Sequence, residues 1–169
     1  SEGNRLLEAV DELITIAREA NAPAEIYHLK AAGERNWHKL DSVIARVEAA
    51  RAEGLRITAD MYLYTAGSTG LDAAMPLWVQ AGGYDAWAEQ LRDPATRRRV
   101  KAEMQAEQDE WENLMQGAGA VGTLLVGFRS DSLRRYIGRT LADVAAERDT
   151  DVWDTAMDLV LADGSRVQV

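Results

Sequence analysis

Hydrophobic positions at the start of the chain follow a helical rhythm. Leu6, Leu7, Val10, Leu13, Ile14 and Ala17 recur every three or four residues, which predicts an amphipathic helix over residues 4–20. Asn21 and Pro23 end it. Residues 25–30, Glu-Ile-Tyr-His-Leu-Lys, then alternate. As a strand they put Ile26, His28 and Lys30 on one face and Glu25, Tyr27 and Leu29 on the other. A loop over 31–35 leads to Asn36, a residue type suited to an N-cap. Leu40, Val43, Ile44 and Val47 mark the buried face of a second helix, which stops near Glu53 and Gly54. Residues 55–61 form the next strand. The strand–helix–strand spacing suits a right-handed parallel crossover, so the expected fold class is α/β. The chain opens on a helix whose own strand would precede it, as if it began inside a repeating β/α pattern.

After Gly70 the rhythm changes. Residues 78–87 carry Gly82 and Gly83 and read as a loop with a short helix. Asp93 followed by Pro94 is a strong helix start, and that helix is expected to run to about Met115. Residues 117–120 read as a loop and 121–128 as a short strand. Thr140 with Asp143 resembles a capping box and opens a helix to about Glu147. Another helix covers 151–161, with Val152, Ala156, Leu159 and Val160 on its apolar side. Residues 162–165 form a turn, and 166–169 read as the start of a strand. The expected organisation is a β/α segment over 1–74, a mainly helical insertion over 75–150, and a return to the β/α segment over 151–169.

Composition bounds what this arrangement can do. The 169 residues are 47% hydrophobic and 28% charged, as in a globular domain. No apolar run approaches the ~20 residues of a membrane helix, and the N-terminus lacks the basic start and apolar core of a signal peptide. The formal charge of −9 argues against general nucleic-acid binding, which needs cationic patches. The run Arg97, Arg98 and Arg99 is the exception, and it reads as a solvated helix face whose cations pair with nearby carboxylates such as Glu103, Glu107, Asp109 and Glu110. With no cysteine, disulfides and thiol nucleophiles are excluded, which is compatible with a cytoplasmic origin.

Candidate chemistry gathers at the ends of the two strands. An imidazole at His28 can hold a divalent metal, and an ammonium at Lys30 can hold an anionic group. A lone histidine is more often a satisfied residue of a partial core. Tyr62 and Tyr64 leave the second strand, followed by Ala-Gly-Ser-Thr-Gly at 66–70. Ser68 and Thr69 offer hydroxyls, and Gly67 and Gly70 admit close approach of the backbone to a ligand. An ordinary turn would use the same residues. No Gly-Lys-Ser/Thr follows, so this is not a Walker loop.

At these residues the sequence resembles the N-acyl-D-amino-acid deacylases (D-aminoacylases) of the amidohydrolase superfamily. The matching text is His-Leu-Lys-Ala-Ala-Gly at 28–33, Asn36 with Trp37, Lys39 with Leu40, Ile-Thr-Ala-Asp at 57–60, Tyr62, Tyr64, and Ala-Gly-Ser-Thr at 66–69. The opening residues 1–4 and Asp-Gly-Ser at 163–165 are also similar. Leu63 departs from the family's usual proline, and His38 stands where no histidine is expected. The resemblance implies a (β/α)8 barrel that carries zinc and hydrolyses the amide bond of N-acyl-D-amino acids. It makes His28 a metal ligand and Lys30 the residue that binds the substrate carboxylate. Tyr62 and Ser68 become substrate contacts, with Thr69 a weaker match. The family's remaining ligands, a His-x-His pair, a cysteine and a further histidine, find no match here. Neither does its catalytic aspartate, and Asp60, Asp72 and Asp163 are not assigned to that role.

Ligand arithmetic agrees independently. A catalytic zinc needs about three protein ligands and an open position for water, whereas this chain has two histidines and no cysteine. The expectation is therefore an internal fragment, part of a barrel plus a peripheral helical insertion placed to act as a lid. Such a fragment would be inactive in isolation, bind zinc weakly or not at all, and self-associate through exposed barrel edges. The alternative is a stand-alone, non-catalytic α/β module that binds an acidic small molecule or a partner protein through residues 62–70.

Overall fold

The structure is a computed structural model, and it describes residues 1–107 and 111–169. They fall into two compact units, Ser1–Ala66 and Gly67–Val169. No helix among the described residues is long and apolar enough to cross a membrane.

In the first unit, helix α1 spans Leu6–Ala20 and buries Leu6, Val10, Ile14 and Ala17, one stripe at i, i+4 spacing. Asn21, left-handed at φ 48°, closes it, and its backbone N–H reaches back to the Ala17 and Arg18 carbonyls. Strand β1 spans Ala24–Ile26. A 3₁₀ segment, Glu34–Lys39, leads into helix α2, Leu40–Ala52. Strand β2, Ile57–Ala59, then pairs in parallel with β1, in the register Ala24 to Ile57, Glu25 to Thr58 and Ile26 to Ala59. The expected β–α–β order is therefore present. Its core is Leu6, Val10, Ile14, Val43, Val47, Ala50 and Ile57. Arg18 with Glu53 and Arg46 with Asp11, at 2.7 and 2.9 Å, tie the solvent sides of α1 and α2.

Several expectations change in this unit. The strand expected over 25–30 stops at Ile26, because Tyr27 and His28 turn and His28 takes a left-handed φ of 54°. The strand expected over 55–61 shrinks to three residues. Leu40 and Ile44 are exposed while Val43 and Val47 are buried, so the apolar stripe of α2 is narrower than its sequence suggests. Asn36 is not an N-cap. It is buried inside the 3₁₀ segment, donates to the Ala32 carbonyl at 2.7 Å and accepts from Lys39 Nζ at 2.8 Å.

The second unit is mainly helical. Short 3₁₀ turns at Leu71–Ala74 and Leu77–Gln80 precede α3, Tyr84–Arg92, and α4, Pro94–Gln105. The Asp93 carboxylate caps α4 through the Thr96 N–H at 2.8 Å, as expected of Asp-Pro. The helix ends at Gln105 rather than near Met115, and the expected helical Asp109 and Glu110 lie outside the described residues. Residues 117–120, expected as a loop, belong to α5, Leu114–Gly122, with a kink at Gly119, whose φ of 70° suits glycine. The strand expected over 121–128 is replaced by isolated bridges from Leu124 to Thr140 and Gly127 to Gln168. Helix α6, Leu141–Glu147, opens on the expected capping box of Thr140 and Asp143. Helix α7, Val152–Ala162, opens on Asp151, whose side chain accepts the Trp153 and Asp154 N–H groups.

Residues 167–169 lie between two other segments. Thr69 and Val169 exchange backbone hydrogen bonds at 3.0 Å, and Gln168 pairs with Val126 and Gly127 on the opposite side. Around this seam Met75, Leu91, Met104, Leu125, Leu141, Met157 and Leu159 form a fully buried core. Trp87 is buried in it, and Trp78 and Trp153 pack against it. The buried Asp163 carboxylate accepts the Arg129 and Ser130 N–H groups at 2.9 and 2.6 Å.

The arginine run is more structural than a solvated face. Arg97 reaches Asp154 at 2.9 Å and Asp158 at 2.8 Å, and Lys101 joins Asp151 and Asp154. Arg99 pairs with Glu103 and stacks over the Trp78 ring at 3.9 Å. Burial opposes ionisation of Asp154, but a hydrogen bond shared with Asp151 and those from Lys101 and Arg97 outweigh it and hold its pKa well below the usual 3.8. A depressed folded-state pKa means that the unfolded chain takes up this proton first as pH falls. The network's stabilisation is thus complete above about pH 3.8 and is lost progressively below it. Thermal unfolding followed from pH 7 to pH 2.5 is expected to show this acid loss, and Asp154→Asn to flatten it. Arg97→Ala at neutral pH is expected to cost roughly 1.5–3 kcal/mol, the range for hydrogen bonds to charged groups.

Candidate functional site

Both strands of the parallel pair end in polar residues, and these converge. β1 gives way to the Tyr27–His28 turn, and β2 to Asp60 and Tyr62. The His28 imidazole stacks on the Tyr27 ring, with centroids 3.7 Å apart and planes 22° from parallel. Its edge meets the Tyr62 ring at 5.2 Å and 85°. Lys30 Nζ stands 5.3 Å from the Tyr62 centroid and donates to the His28 carbonyl at 3.1 Å. The first unit thus brings His28, Lys30 and Tyr62 together. They do not meet as the strand pattern implied: the common face of His28 and Lys30 is lost with the strand. The two side chains are gathered by a turn, which also lays Tyr27 on His28 although alternation had put it on the opposite face.

Lys30 forms an ion pair with Glu2. Burial works against its ammonium, but the hydrogen bond and charge of Glu2, joined by Tyr62, outweigh it and raise the pKa above the usual lysine value. Lys30 therefore stays cationic across the neutral range and can hold a carboxylate. Glu2 is also tied to the loop through its main chain, its carbonyl accepting the Ala32 N–H at 2.8 Å. Lys39 Nζ reaches Asn4 O and Asn36 Oδ1 at 2.7 and 2.8 Å, so the residues after Lys30 are pinned as well.

Ser68 and Thr69 belong to the second unit. Ser68 is exposed, and Thr69 is half-buried with its backbone paired to Val169. Tyr64 is exposed, and so is His38 in its 3₁₀ segment. Among the described residues no group of three or more His, Cys, Asp or Glu side chains is placed to hold a metal ion. His28 can supply one ligand, and the residues around it do not complete a centre. A cavity of about 240 Å³ lined by Pro94, Arg97, Arg98, Lys101 and Asp154 lies in the second unit, within the ion network.

Sequence reasoning missed two residues here. Nothing in the pattern singled out Glu2, whose partner is 28 positions away. Asp60 falls in the stretch that resembles the family and is given no role there, yet its carboxylate accepts the His28 main-chain N–H at 2.5 Å. An aspartate directly after a strand, of a type that readily bonds nearby backbone N–H groups, was the available signal.

No family model matches the chain. Over 69 residues, 41% of its length, it is 32% identical to an N-acyl-D-glutamate deacylase of Alcaligenes xylosoxydans xylosoxydans, and that stretch is 14% of the relative. In structure, 99% of the chain superposes on 25% of the N-acyl-D-glutamate deacylase of Bordetella bronchiseptica, solved with zinc and a phosphonate mimic of the tetrahedral intermediate (TM-score 0.64, 18% identity). It superposes to the same extent on a D-aminoacylase variant in complex with copper chloride (TM-score 0.61, 25% identity). A further D-aminoacylase, of a novel subset of amidohydrolases, gives a TM-score of 0.58 at 22% identity. The chain is similar in sequence and in fold to the N-acyl-D-amino-acid deacylases, and it spans about a quarter of the length of the solved proteins it matches.

Proposed function

We propose that this chain is a segment of a zinc-dependent amidohydrolase that cleaves the amide bond of N-acyl-D-amino acids. In this reading β1, α2 and β2 form part of a (β/α)8 barrel, residues 75–150 are a mainly helical insertion, and 151–169 return to the barrel. The observation that carries the proposal is the meeting of an imidazole, an ammonium and a phenol just beyond the C-terminal ends of two parallel strands. That is where (β/α)8 enzymes build their sites.

His28 would contribute one metal ligand. Lys30 would hold the substrate carboxylate, with Tyr62, Ser68 and Thr69 as further substrate contacts. Zinc bound at a complete centre lowers the pKa of its water to about 7 and polarises the carbonyl under attack. A single imidazole supplies about a third of the protein ligands such a zinc requires, so the chain's own part is to bind and orient. The Lys30 ammonium is already held against Glu2, and an incoming carboxylate would share or replace that partner.

Three outcomes are expected. Assayed with zinc and N-acetyl-D-glutamate, the 169-residue chain gives no hydrolysis above background; turnover abolished by His28→Ala would show that it needs no further ligands. In an NMR titration, N-acetyl-D-glutamate moves resonances of Lys30 and Tyr62, and Lys30→Met removes the response. An unresponsive wild-type spectrum would end the substrate-binding role and favour a module without catalysis. Finally, each strand of the two-stranded sheet has an outer edge with no named strand beside it among the described residues, and Tyr27 and Trp37 are exposed. Such edges recruit other chains, so light scattering should report a mass that rises with concentration. A constant monomer mass up to high concentration would contradict self-association.

A further inference from the structure

His28 is one of four non-glycine residues with positive φ among the described residues, at 54°. The left-handed region brings Cβ against the following carbonyl oxygen, so something must hold His28 there. Asp60 does so with three separate groups. Its N–H donates to the Ile26 carbonyl at 3.1 Å, continuing the strand pairing by one step. Its carbonyl accepts the Leu29 N–H at 2.8 Å. Its carboxylate Oδ1 accepts the His28 N–H at 2.5 Å. The turn is thereby tied on both sides of the His28 Cα.

Two consequences follow from that grip. With the His28 backbone fixed, its ring is placed between Tyr27 and Tyr62. The His28 carbonyl is fixed with it, and this carbonyl is an acceptor for Lys30 Nζ. One carboxylate therefore governs both the imidazole and the anchor of the ammonium.

We infer that Asp60 is a positioning residue: by binding the His28 main-chain N–H it holds His28 in the left-handed turn that aims the imidazole and seats the Lys30 ammonium. The inference rests on the proposed roles of His28 and Lys30. It differs from a catalytic role for Asp60, because the carboxylate acts on the His28 backbone.

The test is NMR on the full chain, comparing wild type with Asp60→Ala and Asp60→Asn. In the wild type the His28 amide proton is expected downfield, as for a hydrogen bond to a carboxylate, and the His28 ring protons upfield under the stacked Tyr27 ring. Asp60→Ala should lose both signatures while the α1 and α2 resonances stay in place. Asp60→Asn keeps an acceptor oxygen and should rescue most of the effect. An alanine variant whose His28 amide and ring signals remain at their wild-type positions overturns the inference. Should that variant fail to fold, a His28→Gly background decides: glycine accepts a positive φ freely, so the double variant His28→Gly/Asp60→Ala should fold cooperatively in a thermal melt. A double variant that is also unfolded overturns the inference. If N-acetyl-D-glutamate moves no wild-type resonance of Lys30 or Tyr62, the proposed substrate-binding role fails, and the amide and ring-current comparison still judges Asp60.

Discussion

The first unit depends on the parallel pairing of two three-residue strands. Parallel neighbours cannot be joined by a tight turn and need a crossover of a dozen or more residues, and α2 is that crossover. The strands contribute little area of their own. Only Ile57 among their six residues is fully buried, so the pair survives because α1 and α2 cover it with Leu6, Val10, Ile14, Val43 and Val47. Pairing also fixes where β1 and β2 end relative to each other, and the two polar ends therefore meet. The grouping of imidazole, ammonium and phenol is a direct product of register.

Helix starts were legible because their signals are local. Asp93 with Pro94 and Thr140 with Asp143 each place a donor and an acceptor within three residues, and both caps form as the sequence implies. Helix ends were legible where Asn21 and Gly54 punctuate them, whereas the end of α4 at Gln105 and the strand ends were not. Whether residues 25–30 stay extended is decided at His28 by Asp60, 32 positions away, and alternation carries no trace of that bond. Residues 121–128 have the β-rich look of a strand, yet Leu124, Leu125, Val126 and Gly127 find backbone partners only in the scattered segments around Thr140, Arg139 and Gln168. A run of apolar residues records burial, and it does not record whether a continuous neighbour exists to pair with. His28, Lys30 and Tyr62, which the structure brings together, lie in the two short stretches that carry the family resemblance. Their support was less legible, because the Glu2 and Asp60 carboxylates act on partners 28 and 32 positions away, and no local pattern announces that pairing.

Charge is distributed according to the same division of labour. In the second unit the cations Arg97 and Lys101 are spent on Asp151, Asp154 and Asp158, joining α4 to α7. In the first unit Lys30 holds one carboxylate from within its own unit. The former arrangement satisfies several charges at once and fixes two helices. The latter sets a cation against one carboxylate beside the Tyr62 ring, a simpler arrangement to open.

The seam made by residues 167–169 also has a kinetic meaning. Thr69 and Val169 bond across about a hundred residues of intervening chain, and Gln168 joins Val126 and Gly127 in the same stroke. Closing a loop of that length carries an entropic cost that grows with the logarithm of its size, and contacts so distant in sequence slow the search for the native arrangement. The helices between can form early on their caps alone, but the two antiparallel bridges must wait for both ends of the segment to arrive. Folding of the second unit is therefore expected to be limited by a late docking step, in which three residues stitch together a core whose helices are already built.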